Sequence, residues 1–378
     1  MPKKVIILTL PLENNYGGLL QAYALQKVVS DMGFDVYTDR NACKNKTWKN
    51  FFLRFYLPLR YKQLQLCGKK VITPKMRQVQ YQKLVRFIDE NIKTVDFFKG
   101  RDNPRRKDIE KYEVYVVGSD QIWRKKYVRV KSYFLDFLKG KDNICRIAYA
   151  ASFGTDNIDE WNDEDKKVCG SLIQKFTAIS VREKDGVAIL KKQFETHATL
   201  VLDPTLLLTK EIYNRLDGVE KIPRRNKLLF CYVLDLNEDK KNLINHLKEE
   251  YELEQVLFIS PKMENIDKNL PVDFVYPSMA EWISGFRDAE FVFTDSFHGT
   301  VFSILFNKDF ICYANKTRGL SRFESLFESL EINVKLIFNS QDYNKCHPIK
   351  IDYTKVNEKL NLLRRDSMSF LSKSLNVK

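Results

Sequence analysis

The stretch FVFTDSFHGTVFSILF, residues 291–306, joins two apolar runs through a polar turn. The first run predicts a buried strand, and the second predicts a helix that starts near residue 299. In open α/β proteins such a turn lies at the carboxyl edge of the sheet, where ligands bind. The unpaired N–H groups and the positive dipole end of the helix favour an anion there. Alternatively, Ser296 or Thr300 only caps the helix, and His298 points to solvent.

Apolar runs followed by helical patterns recur along the rest of the chain. Strands are predicted at residues 3–10, 34–38, 113–118, 146–152, 177–182, 198–203, 228–234, 255–260, 290–294 and 309–313. Helices are predicted at 18–33, 237–251, 279–288, 299 onward, 321–330 and 354–375. This rhythm is typical of an α/β fold, with open parallel sheets and helices on both faces.

The polar segment 218–227 interrupts this rhythm and predicts a linker between two domains. We therefore expect an N-terminal domain at 1–217, with a basic insertion at about 40–110. A C-terminal domain at 218–353 and a closing helix at 354–378 would follow. Two open α/β domains joined in this way would place a cleft between them.

The composition favours a globular protein without a membrane-spanning helix or a cysteine-based metal site. The chain has 378 residues, of which 44% are hydrophobic, so it is able to bury a large core. No uncharged apolar run reaches the roughly 18 residues of a spanning helix. Residues 1–15 are better explained by a first strand than by a signal peptide. The seven cysteines are scattered without a CxxC pair, which indicates free thiols in a reducing cytoplasm and no metal or redox centre.

Residues 40–88 carry an unusual local charge. Thirteen lysines and arginines and no acidic residue lie there, in a chain with a net charge of +14. Aromatic residues, among them Trp48, Phe51 and Phe55, are interleaved with these cations. A solvated helical insertion, a nucleic-acid surface and a patch for anionic lipid headgroups would each have this composition.

Polar residues also follow several of the other predicted strands. The segments are 14–18 (NNYGG), 118–121 (GSDQ), 180–184 (SVREK) and 203–204 (DP). Each segment alone fits an ordinary turn, helix cap or proline-stiffened corner. Because the carboxyl ends of parallel strands share one edge of a sheet, these segments and the turn at 294–300 together bring Gly, Ser, Asp, Arg and His there, which predicts a ligand site.

Six short motifs carry a resemblance to a known family. In this order and at this spacing, the chain resembles the polysaccharide pyruvyl transferase family through NYGGLLQAYAL, VVGSDQIW, YAASFG, SVREKDG, VLDPTLLL and FTDSFHGT. The similarity runs from about residue 5 to 325, and residues 40–110 fall between motifs. The resemblance implies two Rossmann-like domains facing a cleft, as in GT-B glycosyltransferases. It also implies transfer of pyruvate from phosphoenolpyruvate onto a sugar of a bacterial surface glycan, commonly as a cyclic ketal.

The chemistry of this transfer gives roles to the motif residues and needs no metal or cofactor. Phosphoenolpyruvate is strongly anionic and its methylene carbon must be protonated, so its site needs cations, N–H donors and an acid. The catalytic candidates are His298 as general acid, with Asp120 and Asp295 either to orient the acceptor hydroxyl or to offset cationic charge. The candidates for binding phosphoenolpyruvate are Arg182, Ser296, Gly299, Thr300 and Arg322. The candidates for the acceptor side are Asn15, Gly17, Gly18 and Ser119. Helix capping by the two aspartates and a solvated position for Arg322 remain alternatives.

The resemblance also implies partners and a location. The acceptor sugar would be carried on a polyprenyl diphosphate, so the protein would be cytoplasmic and would bind the inner face of an anionic membrane through residues 40–88. Two other functions stay open. A nucleotide-sugar glycosyltransferase would need a ribose-gripping acid and a base pocket, which no motif clearly supplies. A nucleic-acid-binding protein would use residues 40–88, but no recognition module is found there, and we expect no nucleic-acid partner.

Overall fold

Two parallel β-sheets with flanking helices make up the computed structural model, which describes residues 2–41, 73–99, 101, 103–259, 274–315, 319–346 and 350–376. The first sheet contains β1 (Lys4–Leu8), β2 (Asp35–Asp39), β3 (Thr94–Val95), β4 (Val114–Val117), β5 (Cys145–Ala151), β6 (Ala178–Val181) and β7 (Thr199–Leu200). The second contains β8 (Leu228–Tyr232), β9 (Gln255–Phe258), β10 (Ala289–Thr294) and β11 (Asp309–Cys312).

The helices alternate with these strands. They are α1 (Tyr16–Asp31), α2 (Pro74–Asn91), α3 (Arg106–Ile109), α4 (Val130–Tyr133), α5 (Asp163–Ile173), α6 (Lys184–Phe194), α7 (Lys210–Arg215), α8 (Glu238–Glu250), α9 (Met279–Asp288), α10 (Phe297–Leu305), α11 (Ser321–Ser329), α12 (Ser340–Cys346) and α13 (Tyr353–Leu375). All residues of β4 and β8 are buried. Strands covered by helices on both faces are apolar along their whole length. The α/β class predicted from such runs is confirmed.

The order of the strands places a crevice in each sheet. The first sheet has the order β3-β2-β1-β4-β5-β6-β7, so β1 has β2 on one side and β4 on the other. The second has the order β11-β10-β8-β9, and the same change of direction falls between β8 and β10. Ligands of open α/β sheets bind outside such switch points. The turns after β1, β4, β8 and β10 are therefore placed to form a site.

Part of the expected insertion at 40–110 belongs to the first sheet. The hydroxyl of Thr73 caps α2 by accepting a hydrogen bond from the N–H of Met76 (3.3 Å), and β3 pairs with β2 in parallel. Neither element is predicted from the sequence, because β3 has only two residues and α2 buries few side chains. Residues 42–72, the central part of the basic interval predicted at 40–88, lie outside the described residues.

Two elements differ from their predicted bounds for local reasons. β7 ends at Leu200, because the segment Pro204–Leu207 forms a 3₁₀ turn with Asp203 as its cap. α10 starts at Phe297 rather than near 299, because the cap is Ser296. The predicted linker overlaps a 3₁₀ turn at Leu216–Lys221. The domain boundaries after residues 217 and 353 stay predictions.

The closing helix, α13, returns to the first sheet. The hydroxyl of Ser367 accepts a hydrogen bond from the N–H of Leu202 (3.0 Å), and Nε of Arg364 donates to the carbonyl oxygen of Leu206 (2.7 Å). Leu371 on the same helix is completely buried. The last helix therefore packs on the N-terminal sheet, although it follows the second sheet in sequence. Across the described ranges, no helix combines the length and apolarity needed to cross a membrane.

Replacing Leu371 by alanine tests the docking of α13. Loss of a fully buried leucine should lower the free energy of unfolding by about 2–5 kcal/mol. Leu362 lies on the same helix but is 44% exposed, so Leu362→Ala is a matched control with an expected change within about 0.5 kcal/mol. Urea unfolding followed by circular dichroism measures both. Equal unfolding midpoints for the two variants would contradict this packing.

Candidate active site

A cleft of about 600 Å³ lies between the carboxyl ends of the two sheets. The turns after β1 and β4 form one side, and the turns after β8 and β10 form the other. The predicted site residues that line it are Asn15, Asp120, Asp295, Ser296, His298 and Arg322. Those outside its lining are Gly17, Gly18, Ser119, Arg182, Gly299 and Thr300. In the part of the chain that the structure describes, no group of three or more His, Cys, Asp or Glu side chains is arranged to hold a metal ion.

The polar turn before α10 combines a helix cap with a cleft wall. The Oγ of Ser296 accepts a hydrogen bond from the N–H of Gly299 (3.4 Å), which is the capping alternative. Gly299 is required for packing, because a Cβ there would lie 2.1 Å from Oγ1 of Thr294. The buried hydroxyl of Thr300 donates to the carbonyl oxygen of Ser296 (3.2 Å). Ser296 and His298 line the cleft, whereas the structure corrects the placement of Gly299 and Thr300, which support the helix.

Asp295 lies at the cleft, but its carboxylate oxygens are already engaged. Oδ1 accepts a hydrogen bond from the N–H of Leu234 (2.7 Å). Oδ2 accepts hydrogen bonds from the N–H of Asp235 (3.0 Å) and from Nζ of Lys240 (2.7 Å). These bonds join the end of β10 to the turn after β8. The placement favours a supporting role for Asp295 over the catalytic role expected from the sequence.

Arg182 is the centre of a buried ion network behind the cleft. Its side chain is 1% exposed, and its terminal nitrogens donate to Oδ2 of Asp203 (2.6 Å) and to Oδ1 of Asp120 (2.8 Å). Nε lies 3.9 Å from Oε2 of Glu183, which is also buried. The sequence predicts that Arg182 grips an oxyanion of the donor. The structure corrects this placement, because the forked guanidinium already holds two carboxylates.

The members of this network shift each other's pKa values. Burial alone would raise the pKa of Asp120, but the charges of Arg182 and His298 lower it below its usual value. Burial also opposes ionisation of Asp203, yet the imidazole of His298 and the guanidinium of Arg182 hold its pKa well below its usual range. Both aspartates are therefore carboxylates near neutral pH.

The imidazole of His298 contacts two turns of the first sheet. Its Nε2 lies 3.7 Å from Oδ2 of Asp203, which is beyond hydrogen-bond distance but close for opposite charges. The ring also packs against Gly17, where a Cβ would lie 2.2 Å from Cγ and Nδ1 of His298. Gly17 therefore makes room for this ring, which corrects its expected place on the acceptor side. His298 is 5% exposed and lines the cleft.

Arg322 reaches the same cleft from α11. Its guanidinium carbon lies 5.2 Å from the centre of the Phe297 ring, and that of Arg182 lies 4.8 Å from the same ring. Burial, together with the like charge of Arg182, lowers the pKa of Arg322 to about 10, so Arg322 is still a cation at neutral pH. It is 6% exposed, which excludes the solvated position that the sequence leaves open.

The residues expected on the acceptor side mostly support the turns. Asn15 lines the cleft, and its Oδ1 accepts a hydrogen bond from the N–H of Gly18 (3.1 Å) as the cap of α1. Ser119 is completely buried, and its hydroxyl donates to the carbonyl oxygen of Ala150 (3.1 Å). This corrects the placement of Gly18 and Ser119, which hold the turns after β1 and β4.

A match to a protein-family model identifies the family of this chain. The model of the family described as polysaccharide pyruvyl transferase matches residues 15–317, most of the chain. The chain belongs to the polysaccharide pyruvyl transferase family. Membership indicates a transferase that acts on polysaccharide. No curated protein matches the chain.

Solved structures share the fold of this pyruvyl transferase family member. A putative UDP-N-acetylglucosamine 2-epimerase from Listeria monocytogenes superimposes with a TM-score of 0.52 at 11% identity, over 99% of this chain and 91% of that one. The glycotransferase of kitacinnamycin gives a TM-score of 0.50 at 11% identity, over 98% and 96%. At this identity the likeness shows the fold alone. It confirms two Rossmann-like domains facing a cleft in the GT-B manner.

Two groups at the site of this family member escape sequence analysis. Asp203 is explained from the sequence as a turn residue, yet it contacts both Arg182 and His298. The signal that points to it is its position after a strand, within a family motif. The second group is the aromatic part of the lining, which includes Tyr232 and Tyr276. No sequence signal separates these rings from ordinary core aromatics.

Replacing Gly17 by alanine tests the position of the histidine ring in this pyruvyl transferase family member. The added methyl group would overlap the imidazole, so His298 should move and its side-chain NMR signals should shift. Gly18→Ala is the matched control, because its Cβ would lie 3.3 Å from the Asn15 side chain and would not meet His298. The chain has four histidines, so the His298→Gln spectrum assigns the signal. An unshifted His298 signal in Gly17→Ala would contradict the contact.

Proposed function

We propose that this protein transfers pyruvate from phosphoenolpyruvate to two hydroxyls of one sugar, in a bacterial surface polysaccharide or its lipid-linked precursor, and forms a cyclic ketal. The observation that carries the proposal is that His298, Arg322 and Asp120 line one cleft beside the N-terminus of α10. The transfer needs an acid, a cation and a hydroxyl acceptor, which are the groups that these residues supply. Membership of the family supports the same reaction.

The donor is assigned to the N-terminus of α10. The first N–H groups of a helix have no intrahelical acceptor, and its positive dipole end favours an anion. Ser296 and Arg322 line the cleft beside it, and a guanidinium binds carboxylate or phosphate through paired hydrogen bonds. We therefore assign the grip on the donor to Arg322. Arg182 keeps Asp120 and Asp203 ionised and in position.

The proposed reaction starts with protonation of the methylene carbon of phosphoenolpyruvate by His298, which leaves positive charge on the central carbon. A sugar hydroxyl adds to that carbon and loses its proton. Phosphate then leaves, and a second hydroxyl of the same sugar adds, loses its proton and closes the ketal. One of the two released protons restores His298, and the other leaves with inorganic phosphate.

Two carboxylates of the first sheet serve this reaction. Oδ1 of Asp120 already accepts hydrogen bonds from Arg182 (2.8 Å) and from the N–H of Gln121 (2.9 Å), so we assign Oδ2 to the attacking hydroxyl. An ionised carboxylate accepts but does not donate, and the lowered pKa of Asp120 suits this role. Asp203 lies 3.7 Å from Nε2 of His298 and helps to position the ring.

The experiment that tests this function supplies phosphoenolpyruvate with lipid-linked or nucleotide-linked sugars. We expect release of phosphate and the mass gain of a pyruvyl ketal. His298→Gln should keep the fold and lower turnover by about 10²-fold or more, the usual size of an acid–base contribution. His246→Gln is the matched control, because this side chain is 55% exposed on α8, and its turnover should be normal.

Other outcomes of this experiment assign the site differently. Normal turnover in a folded His298→Gln protein would remove His298 from the mechanism. A raised KM for the donor with an unchanged kcat would place His298 in binding rather than proton transfer. Release of a nucleoside diphosphate without consumption of phosphoenolpyruvate would favour a nucleotide-sugar glycosyltransferase.

We further propose that the acceptor is carried on a polyprenyl diphosphate, and that the protein reaches it from the cytoplasmic face of an anionic membrane through residues 40–88. The structure describes five cations of this interval, and three of them are in ion pairs: Arg40 with Asp89, Lys83 with Glu281, and Arg86 with Glu90. Most of the excess charge therefore belongs to the eight lysines and arginines at 44–70. Each cation near an anionic surface contributes about 1 kcal/mol of attraction.

Sedimentation with lipid vesicles tests this membrane contact. The protein should pellet with vesicles that contain anionic lipid, and salt of about 0.5 M should release it because charges are then screened over a few ångströms. Neutralising Lys44, Lys46, Lys49 and Arg54 together should weaken binding and leave activity on a water-soluble acceptor intact. The control neutralises four exposed lysines elsewhere: Lys167, Lys191, Lys192 and Lys248. Equal binding by the two variants, or no binding at low salt, would refute the contact.

A further inference from the structure

Tyr127 presents an aromatic ring to the cleft that the proposed reaction does not use. It lies in the turn after β4, lines the cleft and is 47% exposed. Most large aromatic side chains of this protein are buried in its cores. Exposed aromatic surface inside a cleft is typical of a ligand contact rather than of a packing position.

The ring of Tyr127 is held in place from behind. The guanidinium carbon of Arg124 lies 4.9 Å from the ring centre, and its NH1 donates to the Tyr127 hydroxyl (3.3 Å) and to Oε1 of Gln121 (2.9 Å). Trp123 anchors the same turn, because it is fully buried and stacks on Phe134 with ring centres 5.0 Å apart. A ring fixed in this way loses little conformational entropy when a ligand binds.

The polar groups beside this ring suit the hydroxyls of a sugar. Gln121 and Asn15 bring amides to the cleft lining, and amides both donate and accept hydrogen bonds. Gly154 gives Gln121 its position, because a Cβ there would lie 2.0 Å from Oε1 of Gln121. The carboxylate of Asp120 lies in the same lining and accepts from hydroxyls. Its negative charge disfavours a second anion, such as the phosphate of a nucleotide.

We infer that Tyr127 forms the acceptor subsite by stacking against the sugar. One uncharged pyranose ring packs its C–H face on the phenol ring. The apolar C–H face is then removed from water, and hydroxyls at the edge of the sugar reach Asp120 and Gln121. The inference rests on the proposed function, because this position brings a hydroxyl into the cleft that holds the donor at Arg322.

Saturation-transfer NMR with methyl glucoside, methyl galactoside and methyl mannoside tests the subsite on the full chain without donor. At least one glycoside should show the strongest saturation at the C–H protons of one ring face. Tyr127→Ala should raise its Kd about tenfold, the loss of one aromatic contact, and Tyr127→Phe and Tyr127→Trp should keep the affinity. Leu362→Ala removes a comparably exposed apolar side chain from α13 and should change nothing.

The outcomes separate this inference from the proposed function. No saturation of any of the three glycosides by the native protein, or an equal Kd in Tyr127→Ala, overturns the subsite. Uridine bound with the same dependence on Tyr127, in place of the glycosides, also overturns it and assigns the ring to a nucleoside. Glycoside binding that depends on Tyr127 without any pyruvyl transfer keeps the subsite and refutes the transfer. Pyruvyl transfer with an unchanged acceptor KM in Tyr127→Ala keeps the proposed function and overturns the subsite.

Discussion

The buried charge of Arg182 is the constraint around which the cleft is organised. A guanidinium removed from water is stable only where carboxylates meet it with good geometry. The turns after β4 and β7 supply Asp120 and Asp203, at 2.8 and 2.6 Å. The same guanidinium lies 4.8 Å from the ring centre of Phe297, at the start of α10 in the second sheet. One charge thereby fixes the ends of β4, β6 and β7 relative to the helix that carries His298.

The two buried arginines of the site differ in their surroundings: Arg182 is paired with carboxylates of the protein, whereas Arg322 lines the cleft. Two buried carboxylates already accept hydrogen bonds from the guanidinium of Arg182, so this guanidinium is not placed to bind an anionic donor. Within the proposed function, the donor must therefore be held by other groups, and Arg322 and the N-terminus of α10 are the described ones that face the cleft. Asp120 lines the same cleft, and within the proposed function its carboxylate accepts a hydrogen bond from the attacking hydroxyl.

The sequence predicts the elements of this fold better than the partners of its polar side chains. Strands buried on both faces are continuous apolar runs, so β1, β4, β8 and β10 are recognisable. Helix α2 is not, because its few buried positions include a glutamine, Gln80. At the site, the motifs show which residue types gather at the strand ends. They do not show that the guanidinium of Arg182 binds two aspartates or that Arg322 lines the cleft. These ion pairs join strand ends that are distant in sequence.

The roles of two glycines, Gly17 and Gly299, also could not be predicted from the sequence, because they depend on side chains that pack against them in the fold. The sequence predicts Gly17 on the acceptor side of the cleft and Gly299 in the donor pocket. In the fold they make room for His298 and Thr294, with Cβ positions 2.2 and 2.1 Å from those side chains. Gly17 lies in the first turn of α1, which follows the first sheet's β1, and His298 lies in the first turn of α10, which follows the second sheet's β10. The imidazole is therefore positioned only when the two sheets face each other. The proposed acid is thus assembled from both domains, which gives a physical reason for motifs as distant as NYGG and FTDSFHGT to occur in one chain.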